Sequence, residues 1–199
     1  MKKKTALHII SSARENASYS KGLSSAIIEK LFRQQEIDAV IERDLTKLPP
    51  PPPQQELINA FYKDPATLSA AEQSLMTYAD AIVSEISTAD MLVLGTPMYN
   101  LGMSALLKAW LDQLVRVGVT YDYDERGLRK GRFNGKTIFL AIASGGILDK
   151  RANVPEFIAS HIHAVFNTYI GDTTVKTFRI EGTVMPGFQA DYDKILENW

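Results

Sequence analysis

The chain has 199 residues and a formal net charge of −1, and 45% of its residues are hydrophobic. This length predicts a single domain over residues 1–199 with one sizeable core. The near-neutral charge argues against nucleic acid or an anionic membrane as a partner. The absence of cysteine excludes disulfides, thiolate catalysis and cysteine-ligated metal centres.

The apolar segment at residues 6–10 is too short for a signal peptide, because polar residues follow it at once. No stretch approaches the roughly 20 apolar residues of a membrane-spanning helix. We therefore expect a cytoplasmic protein.

Alternating strands and helices are predicted along the chain from the period of its apolar residues. Leu23, Ile27 and Leu31 recur at a spacing of four and predict a helix that begins near Ser20. In chain order, the patterns predict a strand at 6–10, this first helix, a strand at 37–41, a helix at 69–87, a strand at 91–95, a helix at 104–117, a strand at 137–142, a helix at 154–167, a strand at 174–180 and a helix at 190–198.

Strands that alternate with helices in this way are typical of a parallel sheet. The near-continuous apolar character of the strands indicates that both faces of the sheet are covered. The predicted fold class is therefore α/β, a doubly wound parallel sheet of about five strands with helices on both faces.

Five consecutive prolines, residues 49–53, interrupt the alternation. Such a run is expected to form a semi-rigid polyproline II segment. We interpret residues 46–66 as an irregular surface excursion, which at this length often covers a site or a subunit contact. The alternative is a proline-rich ligand for a recognition domain.

The loop after the first strand, residues 11–22, carries four serines, Arg14 and Lys21 ahead of a helix N-terminus. Free N–H groups and the positive end of the helix dipole favour an anion there. The loop lacks the glycine-rich patterns that bind dinucleotides or nucleoside triphosphates. A single terminal phosphate therefore suits it best, although Ser18 or Ser20 can also serve simply as the helix cap.

Two further loops follow predicted strands at the same edge of the sheet. Residues 95–104 combine a proline, two glycines, an asparagine and a tyrosine, and residues 143–146 contain two adjacent glycines. Both loops allow the backbone to approach a ligand closely. With the serine loop, they predict a site for a flat, monophosphorylated ligand at the switch point of the sheet.

Five sequence blocks make the chain resemble a known family over nearly its whole length. The blocks are Ser11-Ser12 with Ser18-Tyr19-Ser20, Pro97-Met98-Tyr99-Asn100, residues 107–112, residues 116–121, and Ser144-Gly145-Gly146. They resemble the FMN-dependent NADH:azoreductases, relatives of the NAD(P)H:quinone reductases with a flavodoxin-like fold.

The resemblance implies a role for each matching position. The phosphate of FMN would be held by Ser12, Ser18, Tyr19 and Ser20. The flavin ring would be lined by Pro97, Met98, Tyr99, Asn100 and Leu101, with Ala143, Ser144, Gly145 and Gly146 at its pyrimidine end. Tyr121 would face the substrate pocket. No side chain is implied as a catalytic acid or base and no metal is implied, because the flavin carries the chemistry.

The implied activity is ping-pong hydride transfer from NADH or NADPH to a quinone or an azo compound, in a homodimer with its site at the interface. The apolar stripe around Trp110 is interpreted as core or as a subunit contact for this homodimer, not as a cofactor site. The chain departs from its relatives at Leu101-Gly102, where Phe-Asn is common, and at Ala143-Ser144, where relatives place Ser-Arg. We expect the acceptor preference to differ at Leu101-Gly102.

Two other classes of function remain open from the sequence. One is a flavodoxin-type electron carrier without NAD(P)H turnover, although a near-neutral charge is unusual for a carrier that docks basic partners. The other is a phosphate-binding protein without redox activity.

Smaller signals outside these loops have mostly structural interpretations. His161 and His163 lie two apart on a predicted helix and therefore on different faces, which argues against a metal site. His8 is expected to be a buried, hydrogen-bonded core residue. Residues 122–129 are expected to form a charged loop, with contact between Arg126 or Arg129 and nicotinamide-cofactor phosphates as the alternative.

Overall fold

A computed structural model describes residues 4–148 and 156–199. In chain order the elements are β1 (Thr5–Ile10), α1 (Tyr19–Arg33), β2 (Ala39–Asp44), α2 (Gln55–Phe61), α3 (Ala70–Thr88), β3 (Met91–Pro97), α4 (Ala105–Leu114), β4 (Tyr121–Tyr123), β5 (Arg129–Gly131), β6 (Lys136–Ala143), α5 (Ile158–Val165), β7 (Thr173–Ile180) and α6 (Tyr192–Leu196).

The central sheet has five parallel strands in the order β2-β1-β3-β6-β7. When the separate β4–β5 hairpin is set aside, this is the flavodoxin-like order, with its switch point between β1 and β3. The predicted fold class is confirmed.

The period-2 alternation of each strand divides its apolar side chains between two cores. Leu7, Leu92 and Leu140 face the core that α3, α4 and α5 cover. Ala6 and Val93 face the core under α1 and α6. Both faces of the sheet are therefore covered by helices, as the continuous apolar strands predicted.

The stripe around Trp110 on α4 belongs to the core of the chain itself. Trp110 is fully buried and packs with Leu107, Leu111 and Leu114 in the core that α4 covers. Of the two interpretations of this stripe, the core is the one observed, and Trp110 has no exposed area to offer a subunit contact because the sheet covers it.

Hydroxyl caps explain where three helices begin. The Oγ atoms of Ser18, Ser69 and Ser104 accept hydrogen bonds from the backbone of the first turns of α1, α3 and α4. Ser69 also forms a capping box with Glu72. Each such cap contributes about 1 kcal/mol.

The segment at 46–66 is not irregular throughout, because α2 (Gln55–Phe61) lies within it. Leu57 and Ala60 on α2 pack against Met76 of α3. The apolar residues of this helix are too few to reveal its period in the sequence, and the contact with α3 stabilises it.

The segment expected as a charged loop is instead an antiparallel hairpin, with Tyr121 opposite Gly131 and Tyr123 opposite Arg129. An ion pair between Asp122 and Arg132, at 2.6 Å, links its two arms. The charges that suggested a loop are the exposed side chains of this hairpin.

Some predicted boundaries are also wrong. The predicted second strand ends at residue 41, three residues too early. The observed β2 continues to Asp44 through polar edge residues such as Glu42 and Arg43. The predicted fourth helix extends into residues 154–155, which lie outside the described residues, and the described α5 continues as a π-helical turn over Phe166–Ile170. No helix within residues 4–148 and 156–199 is both long and apolar enough to cross a bilayer.

Candidate functional site

A cavity of about 260 Å³ opens at the carboxyl ends of β1, β3 and β6. This is the switch-point edge at which open α/β sheets bind ligands. The cavity is lined by Ser12, Arg14, Ser18, Tyr19, Ser20, Pro97, Met98, Tyr99, Ala143, Gly145, Thr183 and Val184. The structure thus brings together most of the residues that the sequence motifs selected.

One end of the cavity is built from hydroxyl groups and backbone N–H groups. Ser18 and Ser20 are buried, and their Oγ atoms lie 3.2 Å apart. Within the described parts of the chain, the N–H groups of Tyr19 and Ser20 have no acceptor. Arg14 lines the same cavity. Such a set of donors matches a monophosphate.

Gly95 lets α1 approach the end of β3. A Cβ atom at this position would lie 2.7 Å from Ser24 Oγ and 3.0 Å from the carbonyl oxygen of Ser20. Any larger residue would therefore push away the helix whose N-terminus supplies the donors described above.

His8 of β1 is hydrogen-bonded to α1 through the side chain of Ser24. Its Nε2 lies 2.8 Å from Ser24 Oγ, and Ser24 Oγ in turn donates to the carbonyl of Lys21 at 3.0 Å. The second bond makes Ser24 an acceptor toward His8, so Nε2 is the protonated nitrogen. Burial, and secondarily the charge of Lys21, lower the pKa of His8 to about 4, although Asp44 opposes the shift. His8 is the buried core histidine that the sequence predicted.

The β3–α4 turn contains two residues with an unusual backbone conformation. Tyr99 and Gly102 exchange hydrogen bonds of 2.9 and 3.0 Å, and Asn100 and Leu101 between them have φ values of 50° and 68°. This is the conformation of a type I′ turn. Asn tolerates it, whereas Leu adopts it at a cost of about 1–2 kcal/mol.

The Gly-Gly turn forms the opposite end of the cavity. Ser144 is buried, and its Oγ donates to the carbonyl of Gly146 at 2.7 Å, which fixes the turn. In the described residues, nothing accepts the N–H groups of Gly145 and Gly146. Two free donors at the end of a buried strand can bind the carbonyl oxygens of a flat heterocycle.

Thr183 and Val184 are cavity residues that the sequence motifs did not select. The backbone N and Oγ1 of Thr183 both donate to the carbonyl of Ser144, at 3.2 and 3.1 Å. The sequence could have indicated them, because they follow the predicted last strand at the same edge of the sheet as the other cavity loops. Four motif residues, Asn100, Leu101, Ser144 and Gly146, lie beside the cavity and do not line it.

Known proteins resemble this chain in sequence and in fold. Residues 4–199 match a family described by its flavodoxin-like fold. The FMN-dependent NADH:quinone oxidoreductase of Herminiimonas arsenicoxydans is 34% identical over 181 residues, which cover 90% of this chain and 87% of that protein. The chain belongs to this family.

Further relatives support the same assignment. The protein of the same description from Dechloromonas aromatica (strain RCB) is 33% identical and covers 90% of this chain and 88% of its own length. An azoreductase from Bacillus anthracis str. Sterne superimposes with a TM-score of 0.82 at 26% identity, over 98% of this chain and 94% of that chain. The resemblance inferred from the sequence motifs is confirmed.

Tyr121 does not line the cavity between β1 and β3. It lies instead in a second, larger cleft of about 570 Å³, together with Tyr62, Arg129 and Tyr169. No group of three or more His, Cys, Asp or Glu residues in the described chain could hold a metal ion.

Proposed function

We propose that the protein is an FMN-dependent oxidoreductase that transfers hydride from NADH or NADPH to quinones or azo compounds in two half-reactions. The observation that carries the proposal is the cavity at the switch point, with phosphate donors at one end and the free N–H group of Gly145 at the other. Two relatives at 34% identity are named FMN-dependent NADH:quinone oxidoreductases. Bound FMN supplies the hydride transfer.

The first loop is suited to holding the phosphate. The N–H groups of Tyr19 and Ser20 and the hydroxyls of Ser12 and Ser18 are donors for its oxygens, and Arg14 supplies a positive charge. Charge-assisted hydrogen bonds of this kind are about twice as strong as neutral ones.

The other two loops are suited to orienting the ring. The β3–α4 turn presents Met98 and Tyr99 along one edge, and Gly145 presents an N–H donor at the other, with the free N–H of Gly146 next to it in the same turn. Donors fixed by a turn stabilise negative charge that develops on a bound ring without reorganising. The chain therefore binds, positions and tunes the cofactor, and no acid or base is required from its side chains.

The visible spectrum of the purified protein tests the cofactor, and steady-state oxidation of NADH and NADPH with a neutral quinone tests the activity. We expect flavin absorbance, release of FMN on denaturation, and turnover that requires both NAD(P)H and the quinone. A flavin-loaded protein without NAD(P)H turnover would support an electron carrier instead. A colourless protein that does not bind added FMN would contradict the proposal.

We further propose a homodimer with the flavin site at its interface, in the cytoplasm, where NADH is available. The cavity of about 260 Å³ is smaller than the roughly 300–1,000 Å³ of pockets that enclose a ligand of this size. Part of a bound flavin would therefore stay open in a single chain. In its own chain Tyr121 lines a different cleft, so the proposed dimer brings the Tyr121 of a second copy to this opening.

Size-exclusion chromatography with light scattering measures the oligomeric state. We expect about twice the chain mass of 22.1 kDa, and Tyr121→Ala should raise the KM for a quinone without weakening FMN binding. A monomer at micromolar concentration would contradict the dimer and leave the cofactor proposal standing.

A further inference from the structure

The loop that follows β7 lies against the Gly-Gly turn that follows β6. These two strands are parallel neighbours, so their carboxyl ends bring both loops to the same edge of the sheet. The N–H of Ser144 donates to the carbonyl of Ile180 at 2.9 Å and extends the pairing of the strands by one bond. The N–H of Gly182 donates to the carbonyl of Gly146 at 3.3 Å. The loop after β7 is therefore attached to the turn on both sides of Gly145.

Thr183 adds two further hydrogen bonds, and both end on one carbonyl oxygen. Its backbone N and its Oγ1 donate to the carbonyl of Ser144 at 3.2 and 3.1 Å. A carbonyl oxygen has two lone pairs, so two donors occupy both of them. Threonine is β-branched, and its restricted χ1 angle holds the hydroxyl in place. The hydroxyl of Ser144 is used elsewhere in the turn, on the carbonyl of Gly146.

The held carbonyl fixes the direction of the N–H of Gly145. The two groups belong to one peptide unit, which is planar and trans, so its C=O and its N–H point in opposite directions. Because the C=O of Ser144 points to Thr183, the N–H of Gly145 points away from the loop after β7. Gly145 lines the cavity, and no described residue accepts its N–H.

Close packing of the two loops leaves the Gly145 peptide little room to turn. A Cβ atom at Gly145 would lie 3.1 Å from Val184 Cγ1, closer than the roughly 3.5–4.0 Å of a normal carbon–carbon contact. Glycine therefore allows the loop after β7 to lie directly on the turn. Thr183 and Val184 line the cavity together with Gly145, so the contact is made at the site itself.

We propose that Thr183 is a positioning residue for the cofactor, whose hydroxyl holds the Ser144 carbonyl and so aims the N–H of Gly145 at the flavin ring. The inference rests on the proposed function. Two-electron reduction adds negative charge to the ring, and a donor already held in place stabilises this charge without reorganising. Charge-assisted hydrogen bonds are about twice as strong as neutral ones. Thr183 therefore favours reduced over oxidised FMN and raises the midpoint potential of the bound cofactor.

The midpoint potential of bound FMN, measured by titration against a reference dye, tests this role. Thr183→Val removes the hydroxyl and keeps both the β-branched shape and the backbone N–H. We expect the affinity for reduced FMN to fall about fivefold more than the affinity for oxidised FMN, as for loss of one hydrogen bond. At about 30 mV per tenfold change, this ratio lowers the potential by about 20 mV. Thr183→Ser retains a hydroxyl and should keep the wild-type potential.

The matched control is Thr177→Val. Thr177 is exposed on β7 and does not line the cavity, so the potential should not change. In the flavin-free protein, NMR gives a second measurement: Thr183→Val should shift the carbonyl carbon resonance of Ser144, and Thr177→Val should not. An unshifted resonance in Thr183→Val would show that the hydroxyl does not hold this carbonyl.

A purely structural role of Thr183 predicts a different pattern of affinities. Oxidised and reduced FMN would then lose affinity equally, and the potential would stay at the wild-type value. That result, an equal shift in Thr177→Val, or a Thr183→Ser potential that matches Thr183→Val would overturn the proposal. The potentials are measured without NAD(P)H, so an absence of turnover would contradict the proposed function alone. A protein that binds no FMN would overturn both.

Discussion

Gln113 on α4 donates from Nε2 to the carbonyl oxygen of Pro51 at 2.8 Å, although its side chain is completely buried in the chain. Its Oε1 has no partner among the described atoms. Nearby, Tyr78 Oη donates to the carbonyl of Leu48 at 3.3 Å. The proline run and the residue before it are therefore tied to α4 and α3, and the last proline of the run, Pro53, forms part of the larger cleft.

Replacing Gln113 by Leu should loosen the proline run without unfolding the protein. The variant loses one hydrogen bond and also removes a buried, unpartnered oxygen, so we expect the free energy of unfolding to change by less than about 1 kcal/mol. Local opening at the run should become easier. We expect the free energy of local opening at the run to fall by about 1 kcal/mol, so trypsin cleavage after the exposed Lys47 should accelerate about fivefold.

The control for this prediction is Gln73→Leu. Gln73 also donates to a backbone carbonyl, that of Leu68 at 3.2 Å, but its side chain is exposed on α3. It should leave cleavage at Lys47 unchanged. Equal cleavage rates for the wild type and Gln113→Leu would show that this hydrogen bond does not hold the run.

The positive φ of Leu101 predicts opposite effects for two substitutions there. Asn tolerates the left-handed region, so Leu101→Asn should raise the free energy of unfolding of the flavin-free protein by about 0.5 kcal/mol. Valine is β-branched and should lower it by about 1 kcal/mol or more. Urea unfolding measures both, and the same changes at the exposed Leu128, whose φ is ordinary, are the controls. Stabilisation by valine would contradict the turn geometry.

Acid should destabilise the protein through His8. Its pKa is about 4 in the folded chain and about 6.5 in the unfolded chain. The unfolded state therefore binds more protons between these values, and the full stability is present only above pH 6.5. As the pH falls from 6.5 to 4, the His8 contribution to the free energy of unfolding should decrease by about 3 kcal/mol, at 1.36 kcal/mol per pKa unit.

Urea unfolding across this pH range tests the assignment to His8. His8→Gln should remove most of the slope, whereas His163→Gln, at an exposed position on α5, should retain it. If His8→Gln keeps the wild-type slope, another group titrates in this range.

Arg14 should favour FMN over riboflavin. Its charge faces the phosphate end of the cavity, so Arg14→Gln should weaken FMN binding about three- to tenfold, as for loss of one charged contact at a partly exposed site. Riboflavin lacks the phosphate, and its affinity should not change. Fluorescence titration measures both affinities. The control is Arg33→Gln at the other end of α1, and an equal loss for riboflavin would place Arg14 against the ring instead.

The central fold could be predicted from the sequence because its signals are local. Continuous apolar strands such as β3 and β6, joined by amphipathic helices, specify a covered parallel sheet. Serine, proline and glycine at the strand ends specified the cavity loops in the same way. The hairpin β4–β5 could not be predicted, because its strands have three residues each and are stabilised by the close approach of Gly131 to the backbone of Ile170 and Gly171.

By itself, the sequence determined the order of the elements, the three loops of the cavity and the family to which the chain belongs, since these depend on residue type and spacing along the chain. Tertiary structure alone decided which side chains share a surface. In the folded chain Trp110 is buried in the core, Tyr121 lines the larger cleft and Arg129 lies beside Tyr169. Those relationships join residues that are distant in the sequence, and only the packing of the sheet, the π-helical turn and the hairpin brings them together.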